Sequence, residues 1–355
     1  MDPVNIADFR VLAKNLLSTE LFDFIDGGAC DELTKQNNRK AYDSINLRPL
    51  CLRDVSKIST SIQLLDSILP FPIMIAPTAF HQLVDQHGEI STAKAAQFCG
   101  APMIVSCMSN RSFEEIASES LHDQLWAQLY IFKNRVLTET LIHRVEQAGY
   151  KAIVLTIGVP ISGRRDRDVR NQFRLPLKFT TGNFKSTVNE KIIYDFTSEE
   201  LDSSLIWQDI EWVQSITKLP IFLKGILNPL DAEEACRLNI SGIVVSNHGG
   251  RQLDTSEAAI NVLPDIVKVV AGRTSLLIDG AIQRGTDILK AIALGADAVL
   301  IGRPVLWALT VNGKLGVQTM LTMLKDEFEM AMKLTGCCSI QEIKDLSKYI
   351  ISTKL

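Results

Sequence analysis

The chain lacks the marks of several large protein classes. Its seven cysteines are Cys30, Cys51, Cys99, Cys107, Cys236, Cys337 and Cys338, and none forms a C-x-x-C pair. An odd count in 355 residues argues against a disulfide framework, so most are expected to be small buried residues in a reducing compartment. The five histidines, His81, His87, His122, His143 and His248, lack zinc-ligand spacing, and no metal is expected. Neither a G-x-G nor a C-x-x-C-H occurs, which sets aside a dinucleotide fold and an attached haem domain. With 37 Lys and Arg against 41 Asp and Glu there is no basic excess to bind nucleic acid. No apolar run approaches the ~20 residues that span a bilayer. Met1 to Arg10 carry acidic residues and no apolar core, unlike a signal peptide. These features read as a soluble, cytoplasmic protein. The tail Thr353-Lys354-Leu355 misses the first letter of the peroxisomal address S-K-L. A frayed terminus is the preferred reading there, and a peroxisomal location the alternative.

What is present is a rhythm. Apolar residues make up 46% of the chain, enough for a large core. From Pro72 onward, short β-branched runs alternate with amphipathic stretches. The strand candidates are Pro72–Ala76, Met103–Ser106, Trp126–Leu129, Ala152–Thr156, Ile221–Lys224, Gly242–Val245, Ser275–Ile278 and Ala298–Ile301. Helical patterns follow them, at Glu89–Cys99, Thr138–Gly149, Asp231–Leu238, Thr286–Leu294 and Val317–Leu334. Eight such units predict a closed α/β barrel, (β/α)8, over residues 72–335 of a single 1–355 domain. Residues 1–70 form an N-terminal helical extension, with patterns at Ile6–Leu17 and Glu20–Asp26. The long gap after strand four places an insertion at about 164–207. Its polar middle, Lys178–Asn189, reads as a mobile lid over the barrel mouth, or else as a surface loop without a role.

The active end of such a barrel is where the strands finish. Those ends are polar at every strand: Pro77, Thr78 and Ala79; Ser106; Gln128 and Tyr130; Thr156; Lys224; Ser246, Asn247 and His248; Asp279 and Gly280; Gly302 and Arg303. A scaffold would not need polar groups at all eight. The ends of strands seven and eight, Asp279-Gly280-Ala281-Ile282-Gln283-Arg284-Gly285 and Gly302-Arg303, suit one phosphate group. Ser246-Asn247-His248-Gly249-Gly250-Arg251 sets a proton acceptor beside a carboxylate clamp.

At this run the sequence resembles the FMN-dependent L-2-hydroxy-acid oxidases and dehydrogenases. Further matching runs are Phe22 to Ala29, Gln128-Leu129-Tyr130, Gly163-Arg164-Arg165 with Asp168 to Asn171, Leu223 to Leu227, and Gly285-Thr286-Asp287. The resemblance covers almost the whole chain. It implies FMN as cofactor, an L-2-hydroxy acid as substrate, O2 or another electron acceptor, and a homotetramer. It implies that His248 takes the substrate proton, that Arg165 and Arg251 hold the carboxylate, and that Tyr130 bonds the substrate oxygen. Lys224 would stabilise charge on reduced flavin. Pro77, Thr78, Ala79, Ser106, Gln128, Thr156 and Ser246 would line the flavin, with Asp279, Gly280, Ala281, Gln283, Gly302 and Arg303 toward the ribityl chain and phosphate.

Five positions depart from the family pattern. Phe24 replaces a tyrosine, which favours an apolar, medium-chain or aromatic substrate end; Met108 replaces a tryptophan or leucine and, being adaptable, does not define a substrate. Gln283 replaces a phosphate-binding arginine, and Ala281 a glycine. Gly158 stands where the family has an aspartate that orients the catalytic histidine. The alternative is therefore a catalytically impaired or inactive FMN-binding member with a structural or regulatory role. An FMN-dependent isomerase on a similar barrel is a further, weaker reading.

Overall fold

The computed structural model describes residues 2–176, 181–184 and 199–353. Eight parallel strands close into a barrel in chain order: β1 (Ile73–Ile75), β2 (Met103–Ser106), β3 (Leu125–Leu129), β4 (Ile153–Thr156), β5 (Ile221–Ile226), β6 (Gly242–Val245), β7 (Ser275–Asp279) and β8 (Ala298–Ile301), with β8 pairing back onto β1. All eight sequence-derived strands are present, most within a residue of the expected bounds.

Residue parity explains both the barrel and its site. Along a strand successive side chains alternate between faces. One row, Ile73, Ile75, Met103, Val105, Leu223, Ile243 and Ile278 among others, packs outward in the main core. The other row, Met74, Ile104, Trp126, Val154, Phe222, Val244, Leu277 and Leu300, fills the barrel interior. Trp126 and Phe222 have ring centroids 4.7 Å apart there. Continued by two-residue steps, the inward row arrives at Thr78, Ser106, Gln128, Thr156, Lys224, Ser246, Asp279 and Gly302. The polar groups at the strand ends are thus the upper layer of the barrel's own filling.

The N-terminal extension holds more than the two expected helices. After α1 (Ile6–Leu16) and α2 (Thr19–Asp26) comes α3 (Leu33–Ser44), whose polar sequence gave no apolar period. It also holds strands. Ile62–Leu64 pairs with Ser67–Leu69, and Ile62, Leu64 and Leu69 join the interior cluster. Ile45–Leu47 pairs antiparallel with Ile351–Thr353. The expected helix Val317–Leu334 is the second half of a longer one, Arg303–Thr335, broken at Asn312 and Gly313.

Two expectations need correcting. Only Cys107, Cys236 and Cys337 are buried; Cys30 and Cys51 are exposed, because they sit in surface turns of the extension rather than on core faces. Within the insertion, residues 178–180 and 185–189 of the lid segment lie outside the described residues, but 181–184 are anchored. Asn183 Nδ2 donates to the Cys107 carbonyl at 3.0 Å, Asn183 Oδ1 accepts from Phe113 N at 3.0 Å, and Phe184 is fully buried.

Candidate active site

A cavity of about 600 Å³ opens at the C-terminal ends of the strands. Most of the site residues expected from the sequence line it: Phe24, Pro77, Thr78, Ala79, Ser106, Met108, Gln128, Tyr130, Thr156, Arg165, Lys224, His248, Arg251, Asp279, Gly280, Ala281, Gln283, Gly302 and Arg303. Ser246 stands just behind, bonded to Lys224.

The turn after β6 sets the histidine. His248, Gly249 and Gly250 all take left-handed conformations, with φ of 56°, 63° and 72°. For a histidine this costs about 1–2 kcal/mol, which the surrounding bonds must offset. His248 N donates to Ser246 Oγ at 3.0 Å, and Gly250 N to Asn247 Oδ1 at 3.1 Å. Asn247 in turn exchanges two amide bonds with Asn38 of α3, at 2.9 and 2.7 Å. The extension is therefore bolted to the turn that carries His248. Asn38 escaped sequence reasoning because α3 shows no motif.

Cations crowd the histidine. Burial pushes the His248 imidazole well below its ordinary pKa, and Lys224, Arg251, Arg165 and Arg303 push it further. Lys224 is paired with Asp279 at 2.8 Å and donates to Ser246 Oγ at 2.9 Å. Burial beside Arg165 and Arg303 pushes Arg251 down to about 9. It still carries charge at neutral pH, and donates to the Phe24 and Gly27 carbonyls at 2.9 and 3.0 Å. Arg165 is held by Asp168 at 2.8 Å, an Arg-x-x-Asp spacing visible in the sequence but not assigned a role from it. Gly163 packs against this turn so closely that a Cβ there would lie 2.4 Å from the Arg251 carbonyl. That contact brings Arg165 alongside Arg251. The assembly is built to receive anions.

Among the described residues His248 has no carboxylate partner, and its Nδ1, shielded from solvent, makes no hydrogen bond. At position 158 the chain instead presses backbone on backbone. A Cβ on Gly158 would stand 2.8 Å from Gly225 Cα, and Gly158 N donates to the Lys224 carbonyl at 3.2 Å.

Apolar residues of the cavity lining include Phe24, Met108, Val159 and Leu201. Phe24 stacks on Phe173 with centroids 4.5 Å apart. Burial pushes the nearby Tyr130 phenol well above its ordinary range. Leu201 and Phe173 lay in stretches with no sequence signal, and Val159, beside Gly158, was given no role from the sequence.

The residues present fit an FMN-sized polar group. Gln128 Nε2, Thr156 Oγ1 and Asp279 Oδ1 are buried without a partner among the described residues, and buried polar atoms are otherwise almost always paired. Arg303, expected from the sequence to lie toward a phosphate, donates to the carbonyls of Ile25, Gly27 and Gly249 at 3.2, 2.7 and 2.8 Å. The N-terminus of its long helix has no side-chain cap. Gln283 offers no charge, and Ala281 occupies a left-handed position with φ 57°.

The family model for FMN-dependent dehydrogenases matches residues 13–349. The chain belongs to the FMN-dependent 2-hydroxy-acid oxidase and dehydrogenase family. Among similar proteins is the peroxisomal (S)-2-hydroxyacid oxidase GLO3 of Arabidopsis thaliana, 48% identical over 344 residues, covering 96% of this chain and 94% of that one. The L-lactate oxidase of Nostoc sp. is 45% identical over 352 residues, covering 96% of each chain. A crystal structure of mandelate oxidase superposes with a TM-score of 0.92 at 40% identity, covering 100% of this chain and 99% of the other. FMN is the cofactor of this family, and the (β/α)8 architecture is shared.

The relatives correct the cytoplasmic reading. The similar plant oxidases are peroxisomal, which favours the location first held as the alternative. In the tail that suggested it, Lys354 and Leu355 lie outside the described residues. Among the described residues no helix is long and apolar enough to cross a membrane, and no cluster of metal-ligating side chains occurs.

Proposed function

We propose that this protein oxidises an L-2-hydroxy acid with an apolar or aromatic side chain to the 2-oxo acid, through bound FMN, with a weakened proton-transfer step and with O2 as acceptor. The observation that carries the reading is the cation cluster of Arg165, Arg251 and Lys224 around a neutral histidine, in one cavity with the buried Gln128 Nε2, Thr156 Oγ1 and Asp279 Oδ1, which have no partner among the described residues.

Arg165 and Arg251 clamp the substrate carboxylate, and Tyr130 bonds the substrate oxygen. Phe24, Met108, Val159 and Leu201 enclose the side chain. Gln128, Thr156, Ser106 and Asp279 hold the flavin and ribityl chain, with Gly302, Arg303 and the helix N-terminus toward the phosphate. FMN supplies the two-electron acceptor; the protein positions the substrate and moves the proton.

His248 accepts that proton at Nε2. To do so it must carry its resting proton on Nδ1, where a buried unpaired N–H costs about 1–3 kcal/mol. The other tautomer leaves Nε2 as a donor, unable to act as base. The imidazolium that forms is disfavoured by Lys224, Arg251, Arg165 and Arg303 until the substrate carboxylate arrives. A loss of roughly 10²- to 10⁴-fold in turnover is expected against a histidine oriented by a carboxylate, the scale of general acid–base catalysis.

The unpartnered Nδ1 and the closed Gly158–Gly225 contact also favour a second reading: an FMN-binding member without appreciable turnover, in a structural or regulatory role. Anaerobic addition of a panel of L-2-hydroxy acids to the yellow protein separates the two. Slow bleaching by aromatic or medium-chain acids supports the oxidase. A flavin that no hydroxy acid bleaches over hours supports the second reading.

A further inference from the structure

The turn that carries His248 also seats a second cation beside Arg303. Gly249 and Gly250 are consecutive and both left-handed, with φ of 63° and 72°. A Cβ on Gly249 would lie 2.8 Å from Arg303 Nη1, and one on Gly250 2.6 Å from the main-chain N of Lys35. Two adjacent glycines thus let Arg303 and the first turn of α3 come in side by side. Lys35 and Arg303 both line the cavity, as does the uncharged Gln283. Arg303 already gives three N–H groups to main-chain carbonyls. Lys35 Nζ lies 3.0 Å from Asp26 Oδ2 and 3.3 Å from Glu32 Oε2, and an ammonium has a further N–H to offer.

The carboxylates that hold Lys35 are themselves answered. Asp26 pairs with Arg10 at 2.7 Å, and Glu32 and Asp23 pair with Arg167 at 2.6 and 3.0 Å. Three carboxylates therefore meet three cations in Arg10, Lys35 and Arg167. Arg303, on which Asp26 and Glu32 also act, is the cation in excess. Without Lys35 that excess vanishes. Burial and the charge of Arg303 push the Lys35 ammonium below its ordinary range, against the pull of Asp26 and Glu32. A phosphate placed between the two cations would relieve their repulsion. A further donor shares the helix face of Arg303. Trp307, four residues later, lines the cavity, and its buried Nε1 has no partner among the described residues.

We propose that Lys35 is the second cation of the phosphate subsite, supplying with Arg303 the charge that Gln283 does not, and that it makes the site discriminate FMN from riboflavin. The inference rests on the reading that FMN occupies this cavity with its phosphate toward Arg303. It does not rest on turnover, so it holds whether the protein is an efficient oxidase or a poor one.

Titration of flavin-stripped protein with FMN and with riboflavin, read by flavin fluorescence, tests it. Riboflavin lacks the phosphate and reports the rest of the site. Wild-type protein is expected to bind FMN the more tightly. Lys35→Gln should weaken FMN roughly 10- to 100-fold, the scale of a charge-assisted bond, and leave riboflavin within about twofold. Lys35→Arg should keep most of the preference. Equal weakening of both flavins by Lys35→Gln would mean that Lys35 only supports the fold, and unweakened FMN that Arg303 suffices; either overturns the proposal. If Lys35→Gln fails to fold, Glu32→Gln decides. It removes a carboxylate that competes for Lys35, so FMN should bind severalfold tighter with riboflavin unchanged. Unchanged or weaker FMN binding there overturns the proposal. Wild-type protein that binds neither flavin would instead refute the FMN reading, and the inference with it.

Discussion

Gly158 and Gly225 touch main chain to main chain: a Cβ on Gly158 would lie 2.8 Å from Gly225 Cα, and one on Gly225 2.5 Å from Gly158 Cα. Gly225 has φ 115° and sits where the β5–β6 register shifts, next to the cavity lysine Lys224. The seam between β4 and β5 has therefore closed over the position where, by the resemblance, an aspartate is expected to orient His248. Gly158→Ala is expected to cost about 1–3 kcal/mol by overpacking, measured as a lower urea midpoint at unchanged slope. For the same reason Gly158→Asp alone should not restore a fast base; a gain of orders of magnitude in turnover would show that the seam opens easily.

Protonation of the histidines sets a pH dependence. His81, His122 and His248 are all held below their ordinary value, mainly by burial. Below a pH of ~6.5 the unfolded chain takes up protons that the native state refuses, so the unfolded state binds more and stability falls as pH falls. Urea unfolding at pH 7.5 and 5.5 should show the loss at the lower pH. In the same direction, the acid limb of kcat/KM should lie below pH ~6.5, because the free-enzyme base stays neutral there. A limb at or above 6.5 would contradict the cationic surroundings assigned to His248.

Asp168 holds Arg165 without touching the cavity, since it does not line it. Asp168→Asn keeps the shape and removes the charge-assisted bond, worth about 1.5–3 kcal/mol. A rise in KM of roughly 10- to 100-fold with a smaller change in kcat is expected, because the clamp binds ground state and transition state alike. Steady-state kinetics with one bleaching substrate would check it; a loss confined to kcat would place Arg165 in the chemical step instead.

Gln283 lines the cavity without charge where a phosphate is proposed, while Arg303 is shared among three carbonyls. Gln283→Arg is expected to tighten FMN by about 1–2 kcal/mol, roughly tenfold in Kd, with a steeper dependence on salt. Titration of flavin-stripped protein with FMN measures both. Equal affinity in the two proteins would mean that the helix N-terminus already satisfies the phosphate.

The barrel was legible because two signals agreed, strand-length β-branched runs and a polar residue closing each of them. The same parity that sends Phe222 inward delivers Lys224 to the cavity two residues later. What escaped had no period to betray it. Helix α3 is polar nearly throughout, yet Asn38 clasps Asn247 across the fold. Phe173 meets Phe24 only because the insertion folds back on α2, where Arg167 and Asn171 both bind Asp23. The missing carboxylate at Gly158 was visible by resemblance, but not the closure of the seam, which depends on how two strands approach in space.

The reciprocal amide bonds between Asn38 and Asn247 join residues 209 apart in the chain. Contacts of such sequence separation are slow to form, because the loop between them must first be ordered. A nascent chain emerging from the ribosome will have exposed its first barrel strands long before Asn247 exists. Helix α3 must then wait for its clasp. The turn that carries His248 is therefore among the later parts of the molecule to acquire its shape, and a chain that folds only in part would keep its barrel strands and lack the chemistry proposed for that turn.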